Sequence, residues 1–116
     1  MKKLLIIDVE NKTLDLMAKI FERSGVDVSK AIDAHHAAGI LMRENVDVVL
    51  LDSAMPTTEG KILSKIVHTC NPDCKVIVSS NYSEEVQKES IPDAISYHQK
   101  SEGAKALFDK VVAVMV

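Results

Sequence analysis

Several polar residues in this chain stand where apolar runs stop. Asp8 ends the run Leu4-Leu5-Ile6-Ile7, and Glu10 follows after Val9. Asp52 ends Val48-Val49-Leu50-Leu51, and Ser79, with Ser80 beside it, ends Val76-Ile77-Val78. His98, Gln99 and Lys100 follow a weaker run, Ala94–Tyr97. A carboxylate can act as a nucleophile and form an acyl phosphate. Two carboxylates about 5 Å apart repel by about 3 kcal/mol at an effective dielectric of about 20, so a divalent cation or a lysine is needed to hold them together. Oxygen-only ligands with open positions suit Mg²⁺, which keeps waters and takes phosphate oxygens. Cation and lysine both draw charge off a transferring phosphoryl group, and a hydroxyl can donate a charge-assisted hydrogen bond to it once bound. Asp8, Asp52, Ser79 and Lys100 are therefore expected to meet in one pocket suited to phosphoryl transfer. One acid after a strand is often only a cap or turn former; recurrence at the ends of separate runs argues for a site.

The elements that must position these groups follow from periodicity. The continuous apolar runs suit strands covered on both faces, where alternation disappears because neither side meets water. Two weaker strands are expected at Val26–Ala31 and Ala94–Tyr97. Between them, Leu14, Met17, Ala18 and Phe21 form one helical stripe, and Ala34, Ala37, Ala38 and Leu41 repeat the spacing. Ile62, Leu63, Ile66 and Val67 form a third apolar face, and Ala104, Leu107, Phe108, Val111, Val112 and Met115 the longest one. A short fourth helix is expected near Ser83–Ser90, with Ser83 as its cap and Glu84 and Glu85 complementing its dipole. Gly25 should end the first helix and Pro92 block continuation of the fourth. Strand and helix thus alternate through the chain. That order requires an α/β fold, a doubly wound parallel sheet with right-handed crossovers and helices on both faces. In such sheets ligands gather at the carboxyl ends of the strands, where the polar residues above fall.

A chain of 116 residues suits one domain spanning 1–116. The apolar share of 47% with only 3% aromatics implies an aliphatic core. A net charge of −3 argues against a broad nucleic-acid footprint. No run approaches the length of a membrane span, and the apolar start is too short for a signal peptide, so a cytoplasmic location without membrane contact is the default expectation. Cys70 and Cys74 have His68 nearby but no fourth ligand in sequence, so they are expected as free thiols around the turn Asn71-Pro72-Asp73.

Leu50-Leu51-Asp52-Ser53-Ala54-Met55-Pro56, followed by Gly60, resembles the phosphoacceptor segment of response-regulator receiver domains. Val76-Ile77-Val78-Ser79-Ser80 resembles the family strand that ends in Thr or Ser and a small residue. Ala94-Ile95-Ser96-Tyr97-His98-Gln99-Lys100 is similar to its Ala-x-x-Tyr-x-x-Lys, and Leu5-Ile6-Ile7-Asp8 to the entry of its acidic pair. The resemblance covers essentially the whole chain. It implies a five-stranded flavodoxin-like (βα)5 sheet with strand order 2-1-3-4-5. It implies that Asp52 is phosphorylated by a histidine kinase or phosphotransfer protein. It also implies that Asp8, Asp52 and the backbone carbonyl of Ala54 hold Mg²⁺, that Lys100 pairs with Asp52 and then with a phosphoryl oxygen, and that Ser79 swings toward that group. Tyr97 would follow by turning inward, altering a face read by a downstream effector protein or an output domain outside this chain. Any enzymatic activity would be limited to slow self-catalysed phosphotransfer and dephosphorylation.

The chain also departs from the family pattern. The family's second acid after the first strand, normally a direct Mg²⁺ ligand, is here Val9. Glu10, one residue on, is a candidate substitute, and Mg²⁺ is expected to bind weakly. Ser101 replaces a usual proline, which puts a cis bond there in doubt. Loss of the acid at Val9 raises a second reading, a pseudo-receiver that binds partners without phosphorylation. Two lesser resemblances carry less. Asp33-Ala34-His35-His36-Ala37-Ala38-Gly39 is similar to a cobalamin-binding Asp-x-His-x-x-Gly, but with the glycine one residue late. His35 and His36 are expected on a solvated helix face. Ile6-Ile7-Asp8-Val9-Glu10 is similar to the nucleophile motif of haloacid-dehalogenase-like phosphatases, but Lys12 stands where a Thr belongs.

Overall fold

The computed structural model describes residues 2–52 and 57–115, with the side chains of 52 and 57–59 outside the description. Strands β1 (Lys3–Ile7), β2 (Asp27–Ala31), β3 (Val48–Asp52), β4 (Lys75–Ser80) and β5 (Ser96–Gln99) alternate with helices α1 (Asn11–Arg23), α2 (Ala34–Arg43), α3 (Thr57–Cys70), α4 (Glu84–Ser90) and α5 (Ala104–Met115). A 3₁₀ turn over Lys100–Glu102 joins β5 to α5. All strand pairs are parallel and the order is β2-β1-β3-β4-β5.

Successive strand residues point to opposite faces, and the core divides accordingly. Leu4, Ile6, Val48, Leu50 and Ile77 pack against Leu14, Ala18 and Phe21 of α1 and Leu107, Val111 and Met115 of α5. Leu5, Ile7, Val49, Leu51, Val76 and Val78 pack against α2, α3 and Ile91 on the other face. Phe21 and Phe108 stack at 5.4 Å between ring centroids, joining α1 to α5.

The loops follow their local chemistry. The α1 C-terminus is closed by Ser24 and by Gly25 at φ 89°, a left-handed conformation that glycine adopts without a Cβ penalty. Ser83 caps α4 by accepting from the Val86 N–H, with Glu84 and Glu85 in the first turn. Asp33 caps α2 through the His36 N–H. Gly60 of α3 lets α4 come close, since a Cβ there would lie 2.9 Å from Ile91 Cδ1. The Cys70–Cys74 turn is anchored by buried Asn71, whose side chain accepts from Val46 N–H and donates to the Leu41 carbonyl, each at 3.1 Å.

Three expectations need correction. The last strand lies at Ser96–Gln99, not Ala94–Tyr97, so His98 and Gln99 are strand residues rather than loop residues. Ser79 and Ser80 likewise belong to β4. Two helices bury narrower stripes than their apolar residues suggest. Ile62 is 53% exposed and Val112 37%, and Ala104 is also exposed, because neighbouring helical residues stand about 100° apart and cannot all face one sheet.

Candidate functional site

The carboxyl edge of the sheet is built by register. Ile7 pairs with Leu51, Leu51 with Val78 and Val78 with Tyr97. One residue further, Asp52 pairs with Ser79 and Ser79 with His98. Asp8, which follows Ile7, therefore sits at the end of the same row. Residues far apart in sequence thus occupy successive positions across β1, β3, β4 and β5, and Lys100 opens the turn that leaves β5. The Ala54 carbonyl and the Asp52 side chain, both expected in the site, lie outside the described residues.

Asp8 is only 3% exposed. Its N–H donates to the Ala31 carbonyl at 3.1 Å, and its Oδ1 accepts the Glu10 N–H at 3.0 Å. The second bond closes the turn into α1, where Glu10 is the N-cap residue. A buried carboxylate at this edge is a fitting ligand for a hard cation. Val9 is half exposed and offers no donor atom, and the Glu10 side chain is exposed. The described side chains thus offer Mg²⁺ one buried carboxylate, Asp8, with the exposed Glu10 carboxylate nearby. Among the described residues no cluster of three or more His, Cys, Asp or Glu is arranged around a common metal position.

Ser79 is buried, and its Oγ lies 2.9 Å from His98 Nδ1. His98 is equally buried, and its Nε2 lies 3.0 Å from the Gly103 carbonyl. His98 is visible in sequence near Lys100 but carries no role there, because a strand ending at Tyr97 leaves it in a loop. Counting register from Ser79 would have found it. Gln87 of α4 secures the same corner by donating from Nε2 to the Tyr82 and His98 carbonyls, both at 2.8 Å.

Tyr97 packs partly against the α2–α3 side of the core, and its hydroxyl donates to the Ile91 carbonyl at 2.6 Å. Burial pushes this phenol above its ordinary pKa. Lys110 of α5 donates to the Tyr97 carbonyl at 2.6 Å and pairs with Glu84 and Glu102, tying α4, β5 and α5 together. Burial opposes the charge on Lys110, but the bonds to Glu84 and Glu102 outweigh it and raise its pKa. The Gln99 N–H, and beyond it Lys110, hold the Glu102 carboxyl below its usual value. That carboxylate and Gln99 form a capping box that sets the turn from which Lys100 projects. No described peptide bond is cis, so the step from Lys100 to Ser101 is trans. His35 and His36 are exposed in the first turn of α2.

Comparison with known proteins agrees with this architecture. Residues 4–111 match the family model of the response regulator receiver domain. The chain belongs to that family. The receiver is 28% identical over 83 residues to sporulation initiation phosphotransferase F of Bacillus subtilis, a match covering 72% of this chain and 67% of that one. It is 31% identical over 102 residues to the transcriptional regulatory protein YesN of the same organism, covering 84% of this chain but only 28% of that longer protein. Among solved structures, the response regulator TrrA of Thermotoga maritima, crystallised in complex with Mg²⁺-BeF, superposes with a TM-score of 0.83 at 26% identity, over 98% of this chain and 99% of that one. The same protein in complex with the histidine kinase ThkA gives 0.84, again at 26% identity, over the whole of both chains. The receiver fold is the flavodoxin-like one expected, and the phosphatase resemblance falls away.

Proposed function

We propose that this receiver accepts a phosphoryl group on Asp52 from a histidine kinase or phosphotransfer protein and signals by a change in the face formed by α4, β5 and α5. The observation that carries this reading is the row at the carboxyl edge, in which Asp8, Asp52 and Ser79 succeed one another across adjacent strands and Lys100 follows at the end of β5. An Asp52 carboxylate oxygen forms the new O–P bond as the donor's N–P bond breaks. The electron pair stays on the donor imidazole nitrogen, which then takes a proton. Lys100 offsets the charge on the phosphoryl oxygens and Ser79 donates to one of them. Asp8, Asp52 and the Ala54 carbonyl would hold Mg²⁺, with Glu10 beside them; bound there, the ion draws charge off the transferring group. With valine in place of one acid, that ion binds weakly.

The recipient of the signal is a downstream effector or an output domain, since the transcriptional regulators among the relatives are several times longer than the matched region. No helix among the described residues is long and apolar enough to cross a membrane. A cytoplasmic receiver without direct nucleic-acid contact is part of this proposal, the latter resting on the net charge of −3.

Incubation with Mg²⁺ and acetyl phosphate, then with a phosphorylated kinase, tests the reading by intact mass. A phosphoryl adduct that Asp52→Asn abolishes is the expected result. Val9 favours a second reading, a pseudo-receiver. Unchanged mass with every donor, and no change in Tyr97 resonances with beryllofluoride, would establish that reading instead.

A further inference from the structure

The hydrogen bonds of His98 fix the direction of the Ser79 proton. A carbonyl only accepts, so the Gly103 oxygen requires a hydrogen on His98 Nε2. In neutral imidazole the other nitrogen is then an acceptor, and Nδ1 takes the Ser79 O–H. The one proton of that hydroxyl is thereby committed to His98. It cannot also be donated toward Asp52, the register partner of Ser79 on the opposite side.

We infer that His98 is a positioning residue for Ser79, and that a phosphoryl group on Asp52 draws a second proton onto this imidazole. The inference rests on the phosphoacceptor reading. Two routes free the Ser79 hydroxyl for a phosphoryl oxygen. In one, Ser79 rotates away and leaves a buried Nδ1 without a partner, which is costly. In the other, the imidazole takes a proton from solvent. Nδ1–H then donates to Ser79 Oγ, and the Ser79 O–H turns to the phosphoryl oxygen. No hydrogen bond is lost, and the new positive charge lies two strands from the new negative charge, with Ser79 between them. The second route is the one the geometry favours.

The charged surroundings also tolerate an imidazolium. β4 presents Ser79 and Ser80, both uncharged, and α4 presents the neutral amide of Gln87 on the His98 carbonyl. The 3₁₀ turn brings the Glu102 carboxylate, which a charge on His98 would help to stabilise. Lys110 of α5 is engaged by Glu84 and Glu102, and Lys100 stands two residues further along the chain. The bond to the Gly103 carbonyl reaches the start of α5, since the same carbonyl accepts the Leu107 N–H. Protonation of His98 therefore acts on the first turn of α5 by a path separate from Tyr97.

Histidine-selective NMR of the full chain tests this, with His98 assigned by comparison with His98→Leu. In the free protein near neutral pH, His98 should be the Nε2–H tautomer, and Ser79→Ala should shift its Nδ1 resonance. With Mg²⁺ and beryllofluoride bound, His98 should pass at the same pH from the Nε2–H tautomer to the doubly protonated imidazolium, read from its two ring-nitrogen resonances. The lifetime of the acyl phosphate should depend on pH in the wild type and be independent of it in His98→Leu and in Ser79→Ala. An adduct that forms while His98 remains the Nε2–H tautomer overturns this coupling and leaves the phosphoacceptor reading standing. Failure to form any adduct overturns both.

Discussion

Substituting Val9 by Asp returns an acid to the position beside Asp8, and its effect on Mg²⁺ binding can be worked from exposure. Val9 is 50% exposed, so a carboxylate there stays in contact with water. At about 4 Å, a carboxylate and a divalent cation attract by about 2 kcal/mol at a water-like dielectric of about 80, against about 8 kcal/mol at about 20. The exposure selects the smaller figure, which is roughly a 30-fold tightening of the dissociation constant. Calorimetric titration of Mg²⁺ into wild type and Val9→Asp, at one fixed ionic strength because exposed charges are screened, measures it directly. The rate of acetyl phosphate labelling should rise with metal occupancy. Metal-free stability should fall slightly, since the added carboxylate repels Asp8 while staying in contact with water. A dissociation constant indistinguishable from wild type in a folded Val9→Asp protein would refute the claim that the missing acid limits metal binding. It would point instead to Glu10 already supplying the ligand, which Glu10→Gln would then expose.

Other consequences follow from the same coordinates. Asn71→Ala leaves the Val46 N–H and the Leu41 carbonyl without partners in a buried turn, and should lower unfolding stability by about 2–5 kcal/mol in denaturant titrations. Burial pushes the Cys74 thiol up to about 12, whereas Cys70 is exposed, so a thiol-selective disulfide reagent at mildly alkaline pH should modify one cysteine rapidly and the second only on unfolding. The hydrogen bond from Lys3 holds the Glu44 carboxyl below its usual 4.5, with Ser29 assisting. Its stabilisation is therefore present above that value and lost as pH falls through the depressed one. Glu44→Gln should flatten the acid limb of the stability curve, by under about 1 kcal/mol because the pair is partly exposed.

Much of this architecture was legible from pattern alone because the central strands are covered on both faces. Leu4–Ile7, Val48–Leu51 and Val76–Val78 read as uninterrupted apolar runs, and the structure buries every residue in them. Caps were equally legible where one side chain decides them, as at Ser83, or where one glycine takes a positive φ, as at Gly25. Helical faces were less so. Ile62 precedes Leu63 and Val112 follows Val111, so hydrophobicity alone could not say which of each pair faces the sheet. Asn71 escaped notice because its two buried bonds join segments 25 and 30 residues away, which no local pattern encodes.

The fifth strand shows why the site was read only in part. Reading it as Ala94–Tyr97 rather than Ser96–Gln99 is a shift of two residues, and a shift of two preserves which residues share a face. The alternation therefore could not detect it. The strand lies at the sheet edge, and Ile95 just before it is 53% exposed, so the apolar residues there mark no buried run. What the shift moves is the end of the strand, and with it His98 from an expected loop into a buried row. Only pairing fixes that end: Ser79 must have a neighbour on β5, and the neighbour is His98. Asp8 and Lys100 could be placed at strand ends from sequence because each follows closely on its run, and strand ends are where this fold collects its chemistry. His98 was missed because its role depends on a hydrogen-bond partner 19 residues away, and such a partner is specified by the register of the sheet.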